Sequence, residues 1–371
     1  MRVLLDCRMA AWSGVGRYTT GLARALAARG DVELVQVCAS DRAAPVAGAA
    51  EVLVAAGHPF GARGALEFAR LAQEARTDVI HCPHFPTPVP VRTPLVVTLH
   101  DLIPLVLPRA MPSTLRRTVY RAWNARAARV AHRVIVPSAS TAADVERLLP
   151  KAHGKVIVIP EAADDFLQGE AGTPAERRAR WISPPGLRWI SQPYLLCIGN
   201  TRWHKDLPTL LRAFGELAAE RPDVLLILVG PEPSGYLDQQ LREAPPELRS
   251  RVAFTGHVDD SELRALYSGA VAFVFPSLRE GFGLPVLEAL AFGTPVVCSD
   301  AASLPEVAGE AAVLFPAGDA EALAKAVRSV LDDPERREDL SRRGQEQAAQ
   351  FSWTSAAAAT VAVYGEAIGC A

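Results

Sequence analysis

Short apolar runs alternate along the chain with longer amphipathic stretches, and this alternation is the main structural signal in the sequence. The apolar runs, bounded by Gly, Pro or charged residues, predict buried strands, whereas the stretches between them have the spacing of helices. Repeated strand–helix alternation of this kind favours parallel sheets covered on both faces. The sequence therefore predicts an α/β protein.

The alternation forms two series that are separated by a change in composition. The first predicts a helix at residues 16–29 and strands at residues 2–6, 32–38, 79–82, 95–100, 133–137 and 156–160. The second predicts strands at residues 194–199, 224–230, 251–256, 271–276 and 295–299, and helices at residues 207–220, 234–244, 260–268, 284–292 and 320–332. The stretch between them, residues 164–193, is irregular and rich in Pro, Gly and Arg, with a short helix expected at residues 174–181.

A chain of 371 residues is long for one hydrophobic core, so two domains are expected. We predict two Rossmann-like, doubly wound domains at residues 1–165 and 193–350, joined by a connection at residues 166–192. A final helix, within residues 351–371, is expected to cross back to the first domain. Because ligands of such sheets bind beyond the carboxyl ends of the strands, we expect the site in a cleft between the domains.

Composition and charge indicate which classes of partner and which cellular compartment to expect. The formal net charge of −2 creates no field that would favour nucleic acid, so that partner is excluded. The six cysteines form no C-x-x-C pair, and several of them lie in apolar runs, so reduced core thiols of a cytoplasmic protein are expected. Charged residues interrupt the apolar N-terminus, and no window offers the roughly 20 apolar residues of a membrane span. Any membrane contact is therefore expected to be peripheral.

The segment PSLREGFGLPVLE carries the most informative chemistry. It follows an apolar strand, and Gly281 and Gly283 allow a tight turn and the close approach of a ligand. Pro285 suits the first turn of a helix, whose free N–H groups can bind phosphate. Glu280 and Glu288 could then point at one ligand from opposite ends of the turn. An ordinary strand–loop–helix connection with two solvated glutamates is the structural alternative.

The two glutamates resemble the E-x7-E motif of the retaining GT-B glycosyltransferases, in particular those of family 4. The similarity continues through EGFGLPVLEALAFGTPVVCSD and LPEVAGEAAVLFPAGD, and it covers the chain to about residue 315. It implies a GT-B fold, with two Rossmann-like domains that face each other across a cleft. It also implies that Glu288 bonds the nucleotide ribose and that Glu280 contacts the donor sugar, with the amides of Phe282, Gly283 and Leu284 near the sugar and phosphates.

The segment GNTRWHKDLPTLLRAF places Arg202 and Lys205 between a strand and a helix, with Asp206 as the expected N-cap. Two cations there can neutralise a diphosphate, although a pair of surface cations is the structural alternative. By resemblance, Lys205 matches the lysine that binds the donor phosphates. His204 stands where many family members have Arg, so Arg202 is expected to supply the positive charge instead. No catalytic role is assigned to His204.

The first domain carries two looser signals. In SGVGRY, Gly14 and Gly16 predict a ligand-facing loop before a helix, but Thr19 replaces the third glycine of a dinucleotide fingerprint. The strand LVVTLHDLIPL ends at His100 and Asp101, where a structural histidine is the alternative to a functional one. The family resemblance implies that the glycine loop lies close to the donor phosphates, that His100 bonds the donor sugar and that Asp101 lies near the acceptor.

Two further segments have a functional and a structural interpretation. In FTGHVDDSELRALYSGA, the backbone of His257 and Val258 resembles the family's base-binding turn, whereas a solvated loop is the alternative for His257. The basic stretch at residues 115–133 predicts a helix with a solvated charged face, and docking on anionic membranes is the alternative.

Cleavage of a sugar–phosphate bond leaves negative charge on the departing diphosphate, and stabilising that charge is the main catalytic task. Arg202, Lys205 and the turn at residues 281–284 can do so without metal or cofactor, so we expect metal independence. The catalytic set predicted here is His100, Glu280, Lys205 and Arg202. Retention of configuration is implied by the family resemblance, and the leaving phosphate itself is expected to accept the proton of the acceptor.

The resemblance favours GDP-mannose as donor, with a UDP-sugar as the next choice, and a glycan, lipid-linked or small-molecule acceptor. Three rivals remain open at this point. A nucleotide-sugar epimerase or hydrolase would turn over the donor without an acceptor, and a binding protein would not turn it over at all. A Rossmann dehydrogenase is disfavoured because no clear ribose-binding acid follows the second strand.

Overall fold

Both halves of the chain fold as parallel α/β units. The computed structural model describes residues 1–39, 47–88, 90, 92–163, 192–199, 202–230, 239, 241 and 244–370. One compact unit comprises Met1–Asp165 with Phe351–Ala371, and the other comprises Phe166–Gln350. The predicted connection at residues 166–192, apart from Gln192, and the helix expected at residues 174–181 lie outside the described residues. So does most of the helix expected at residues 234–244.

The first unit is built on a seven-stranded parallel sheet with the order β3-β2-β1-β4-β5-β6-β7. Its strands are β1 (Arg2–Asp6), β2 (Glu33–Ala39), β3 (Glu51–Ala55), β4 (Val79–Cys82), β5 (Leu95–Thr98), β6 (Arg133–Val136) and β7 (Val156–Val158). Every residue of β4 and β5 is buried, because helices cover the sheet on both faces. The helices before residue 165 are α1 (Ser13–Ala27), α2 (Ala62–Glu74), α3 (Ile103–Val106), α4 (Thr114–Val130) and α5 (Ala139–Leu148).

The second unit has a six-stranded parallel sheet with the order β10-β9-β8-β11-β12-β13. Its strands are β8 (Tyr194–Ile198), β9 (Leu225–Val229), β10 (Val252–Phe254), β11 (Ala272–Phe275), β12 (Val296–Ser299) and β13 (Ala312–Phe315). In the described part of this unit, the helices are α6 (Leu207–Glu220), α7 (Pro246–Arg249), α8 (Asp260–Gly269), α9 (Leu284–Ala291), α10 (Leu304–Ala308), α11 (Ala320–Leu331) and α12 (Pro334–Ala348). A capping box between Asp259 and Glu262 fixes the start of α8.

The last helix, α13 (Trp353–Gly369), belongs to the first unit. Trp353 and Tyr364 are buried in the same core cluster as Leu22 and Leu26 of α1. Within the part of the chain that the structure describes, no helix is both long and apolar enough to span a bilayer.

The structure corrects the start of one predicted helix and adds elements that the sequence did not predict. The sequence did not predict β3, because its residues alternate in exposure and Val52 and Val54 face solvent at the edge of the sheet. The helix expected from residue 16 begins at Ser13, so Gly14 and Gly16 lie in its first turns and not in a loop before it. The second unit also contains β13, α10 and α12, for which the apolar pattern gave no separate prediction.

Candidate active site

The strand order of the second unit reverses at β8, since β9 and β10 lie on one side of it and β11 to β13 on the other. A crevice for a ligand opens at such a switch point, beyond the carboxyl ends of the two strands that flank it. The turn after β8 carries Lys205, and the turn after β11 carries Glu280. Topology alone therefore brings these two predicted site residues to the same place.

Lys205 and Glu280 form an ion pair at this switch point. The Lys205 Nζ donates to Glu280 Oε1 at 2.7 Å, and the two side chains are 14% and 12% exposed. The same ammonium lies 4.8 Å from the centre of the Phe275 ring, a distance typical of a cation–π contact. An ammonium has three N–H donors, so one bond to Glu280 still lets Lys205 hold an anion.

The turn before α6 also carries Arg202, His204 and Asp206. The backbone carbonyl of His204 accepts a hydrogen bond from the Leu278 amide at 2.7 Å, which ties this turn to the one after β11. Burial lowers the pKa of the His204 ring to about 4, so it is neutral at pH 7 and cannot replace an arginine. Arg202 is exposed. Asp206 occupies the N-cap position with φ of +48°, but its side chain makes no capping hydrogen bond, contrary to expectation.

The turn between β11 and α9 requires glycine at position 283. Gly283 has φ of +119°, and a Cβ there would lie 2.8 Å from Leu304 Cδ2. The hydroxyl of Ser303 lies 3.0 Å from the carbonyl oxygen of Glu280 and 2.7 Å from that of Phe282, and so holds the turn from below. The constrained turn therefore fixes the backbone position from which the Glu280 side chain extends.

The first amides of α9 are partly used within the turn itself. The Val286 and Leu287 N–H groups both donate to the Gly283 carbonyl, at 2.9 and 3.1 Å. A phosphate at this helix start would therefore meet the amides of Gly283 and Leu284, which precede them.

Glu288 lies on the buried side of α9 and is 4% exposed. The Tyr267 hydroxyl, on α8, donates to Glu288 Oε2 at 2.7 Å. A buried carboxylate needs such donors, and this bond restricts its rotation. The second glutamate of the motif is thus held in place by the protein and is not a solvated side chain.

His257 and Val258 lie in the turn after β10, at the edge of the same sheet, where His257 is exposed and Val258 is half-buried. A small pocket lies nearby, at the carboxyl ends of β8, β9 and β10. It is lined by Cys197, Gly199, Leu207, Leu228, Val229, Gly230 and Phe254.

In the first unit the strand order reverses at β1, which is flanked by β2 and β4. Gly16 is enforced by packing, because a Cβ there would lie 2.2 Å from the Ala10 carbonyl oxygen. A Cβ at Gly14 would meet nothing within 4 Å. Of the two predicted glycines, Gly14 therefore faces open space, whereas Gly16 has a purely steric explanation.

His100 follows β5, and both of its ring nitrogens have protein partners. Nδ1 lies 2.8 Å from Glu161 Oε1, and Nε2 lies 2.9 Å from the Pro83 carbonyl oxygen. Burial alone lowers the pKa of His100, but the hydrogen bond and charge of Glu161 outweigh it and leave the pKa above its ordinary value. Tyr18 packs edge-on against the ring, with the centroids 4.7 Å apart.

Asp101 is half-buried next to His100. Its Oδ1 accepts from the Ile103 amide at 2.9 Å, while its backbone carbonyl accepts from the Tyr120 hydroxyl at 3.0 Å. These bonds fix the chain between β5 and α3. Asp101 therefore has a structural role, which is independent of the predicted position near an acceptor.

Two family models match successive parts of the chain. One, described as Glycosyltransferase Family 4, matches residues 12–165, and the other, described as Glycosyl transferases group 1, matches residues 186–347. The chain belongs to the family 4, group 1 glycosyltransferases. The resemblance carried by the two glutamates and the turn between them is thereby confirmed.

Individual relatives of this family 4 member are similar over part of their length. The O-antigen chain mannosyltransferase B of Escherichia coli is 40% identical over 182 residues, which are 48% of this chain and 46% of the relative. The MMP alpha-(1->4)-mannosyltransferase of Mycolicibacterium hassiacum is 39% identical over 168 residues, 44% of this chain and 40% of the relative. The chain thus spans less than half the length of these curated relatives.

The fold is also that of solved structures. The sucrose-phosphate synthase of Thermosynechococcus elongatus superimposes with a TM-score of 0.80 and 23% identity, and the match covers 100% of both chains. At that identity the similarity shows the fold alone. The predicted GT-B class, with two Rossmann-like domains, is confirmed for this family 4 member.

Sequence reasoning missed three residues that position the predicted site of this family 4 member: Tyr267, Ser303 and Glu161. Ser303 could have been found, because a serine before Leu-Pro-Glu is typical of a helix start. Glu161 follows the strand predicted at residues 156–160, so the strand-end rule could have found it. No signal marked Tyr267, which occupies an apolar position of an amphipathic helix. In the described part of the chain, no three His, Cys, Asp or Glu side chains converge as metal ligands would.

Proposed function

We propose that this chain is a retaining glycosyltransferase that moves a hexose from a nucleotide-diphosphate sugar to a hydroxyl group of a glycan, lipid-linked or small-molecule acceptor. The observation that carries the proposal is the Lys205–Glu280 pair at the switch point of the second unit, 2.7 Å apart and mostly buried. A buried cation beside a glycine-restricted turn suits a departing diphosphate, and family membership supplies the class of reaction.

The donor would be held by residues of two turns and of α9. Lys205, with Arg202 beside it, would balance the charge of the diphosphate, and the amides of Gly283 and Leu284 would add hydrogen bonds to it. Because Lys205 can donate three hydrogen bonds, it can keep Glu280 in place while it binds a phosphate oxygen. Glu280 would then meet the sugar, and Glu288, oriented by Tyr267, would bond the ribose.

GDP-mannose is the proposed donor, because the names of both relatives, an O-antigen chain mannosyltransferase and an alpha-(1->4)-mannosyltransferase, specify mannosyl transfer. No protein nucleophile is required if the leaving phosphate accepts the proton of the acceptor on the same face, which would retain configuration. Independence of metal is part of the same proposal, since cations and amides would take over charge stabilisation.

The test is donor turnover without an acceptor. The purified chain is incubated with GDP-, UDP- and dTDP-sugars in the presence of a chelator, and nucleotide release is compared with that of Glu288→Gln and of Glu310→Gln, an exposed glutamate of the same unit. Release from one donor that is lost only in Glu288→Gln would support the donor site and identify the sugar. Absence of both release and nucleotide binding would contradict the proposal.

An acceptor screen with that donor separates transfer from the rivals. A transferase accelerates nucleotide release when its acceptor is added and forms a new glycoside, whose anomeric configuration is read by NMR. A hydrolase releases free sugar, and an epimerase produces an epimer of the donor sugar. In neither case does adding an acceptor change the rate of turnover. Release from a UDP-sugar and not from GDP-mannose would correct the donor while leaving the reaction class intact.

A further inference from the structure

The surroundings of His100 define the number of protons on its ring. The Pro83 carbonyl can only accept a hydrogen bond, so Nε2, 2.9 Å away, must carry a hydrogen. On the other side of the ring one hydrogen stands between Nδ1 and Glu161 Oε1, which are 2.8 Å apart. A carboxylic acid is ordinarily stronger than an imidazolium, so this hydrogen belongs on Nδ1.

Glu161 has no other charged partner in the described part of the chain that would keep it ionised without His100. It is 4% exposed, and the only ion pair in which the described structure places it is the one with the His100 ring, which is itself 15% exposed. An isolated buried carboxylate is costly, so each member of this pair stabilises the charged form of the other.

The groups that face His100 from other elements do not compete for its charge. Tyr18 of α1 meets the ring edge-on, while its own hydroxyl is bonded to Thr98 at 3.0 Å. Burial lowers the pKa of His81 and of His84 to about 3, so both are neutral neighbours at pH 7. Among the described residues, Asp101 is an acidic neighbour that favours the protonated form of His100.

We propose that Glu161 is a positioning residue that holds His100 as an imidazolium, so that the end of β5 presents a fixed positive charge and not a proton acceptor. Both N–H groups are engaged by Glu161 and Pro83, so the ring can neither take a proton from an acceptor hydroxyl nor rotate freely. The kinetic consequence rests on the proposed function, whereas the ring's protonation state does not.

The sign of the pH dependence distinguishes the two roles. A histidine that acts as a base loses activity as the pH falls through its pKa. An imidazolium that must stay charged loses activity as the pH rises through its pKa, which here lies above the ordinary value. In Glu161→Gln the amide carries no charge, so the loss of activity should move to lower pH.

The first measurement follows the ring nitrogens of ¹⁵N-histidine-labelled full-length chain by NMR, with the His100 signals assigned by their absence in His100→Gln. We expect both nitrogens to show the shifts of a protonated ring at pH 7 in the wild type and a neutral ring in Glu161→Gln. Asp144→Asn, at another buried carboxylate of the same unit, should leave the His100 signals unchanged. A neutral His100 in the wild type at pH 7 would overturn the proposal, even if Glu161→Gln fails to fold.

The second measurement is the pH profile of donor turnover. Glu161→Gln should match the wild type within about twofold at pH 6 and fall about tenfold below it at pH 8, while Glu161→Asp recovers part of the difference. An equal loss of turnover in Glu161→Gln at both pH values would overturn the proposed effect on activity and would leave the Glu161–His100 bond as a structural contact only. Absence of turnover in the wild type would contradict the proposed function, whereas the NMR result would still decide the state of His100.

Discussion

Each unit places a mostly buried basic side chain against a carboxyl group beyond the carboxyl ends of its strands, but the two pairs differ in what they can still bind. Lys205 and Glu280 are 2.7 Å apart, and His100 and Glu161 are 2.8 Å apart. The ammonium of Lys205 has three donors and uses one on Glu280, whereas the imidazole of His100 has two and both have partners. Similar distance and burial therefore do not imply similar function.

The lesson concerns how a functional charge is recognised. A pair whose cation retains donor capacity can exchange or share its partner with a ligand. A pair whose cation is fully bonded can act only through its field and its position. Donor counting distinguishes the two cases when distances do not, and the following variants test whether that distinction holds.

The largest effect is expected at Lys205. Replacing it with Gln removes a charge that would stabilise the departing diphosphate, and we expect donor turnover to fall about 100-fold. Lys325→Gln, at an exposed lysine of the same unit, should leave the rate unchanged. A double-mutant cycle with Glu280→Gln should give a coupling of about 1–3 kcal/mol in turnover or unfolding, and strictly additive effects would show that the pair does not act as a unit.

The two glycines at the start of α1 are expected to differ in a stability measurement. Gly16→Ala places a methyl group against the Ala10 carbonyl and should lower the free energy of unfolding by about 1–3 kcal/mol. Gly14→Ala should be neutral or stabilise by up to about 1 kcal/mol, because its Cβ meets open space in a helix. A rise in donor KM for Gly14→Ala without a loss of stability would support a ligand at that surface. Equal destabilisation by both changes would contradict the steric account.

Acid should destabilise the fold through its neutral histidines. Burial lowers the pKa of His81 to about 3, below that of an unfolded histidine, so the unfolded chain binds the proton first as the pH falls. The contribution of neutral His81 to the free energy of unfolding is complete above about pH 6.5. It should decrease by on the order of 2 kcal/mol at pH 5. Denaturant unfolding of the wild type and of His81→Gln at pH 7 and pH 5 measures it. The same pH dependence in both proteins would assign acid sensitivity to other groups.

The smallest expected effect lies at the hydrogen bond to Glu288. Tyr267→Phe removes the donor that orients this carboxylate, so donor KM should rise about tenfold, since a bond to a charged group contributes about 1.5 kcal/mol or more. Tyr194→Phe is the matched control, because the Tyr194 hydroxyl donates a hydrogen bond to the backbone carbonyl of Leu266, on the same helix as Tyr267. Both variants should lose similar stability. A similar KM for both would mean that Tyr267 acts only structurally.

Much of the architecture was predictable because buried parallel strands are nearly continuous apolar runs. The strands β4, β11 and β12 were found in this way. The edge strand β3 was missed because its exposed face dilutes that signal, and the start of α1 was misplaced because its two glycines resemble a loop. In the site, Lys205 and Glu280 were named from sequence, but their contact required the strand order.

The partners of site residues were hardest to predict. Glu161 lies 61 positions from His100, and Tyr267 lies 21 positions from Glu288. Neither distance is encoded by a helical or strand period, so only the fold brings such groups together. Roles assigned residue by residue stay predictions until the variants above are measured.

The return of the chain to the first unit constrains the order in which the protein can form during synthesis. His81 Nδ1 bonds the hydroxyl of Tyr364, 283 positions later, and Trp353 fills the space beside Gly21 of α1. The second unit is continuous in sequence, so it has all of its residues before the last helix leaves the ribosome. The first unit, although begun earlier, would have to wait with part of its apolar surface uncovered. Truncation of the last helix should therefore expose the half that is translated first.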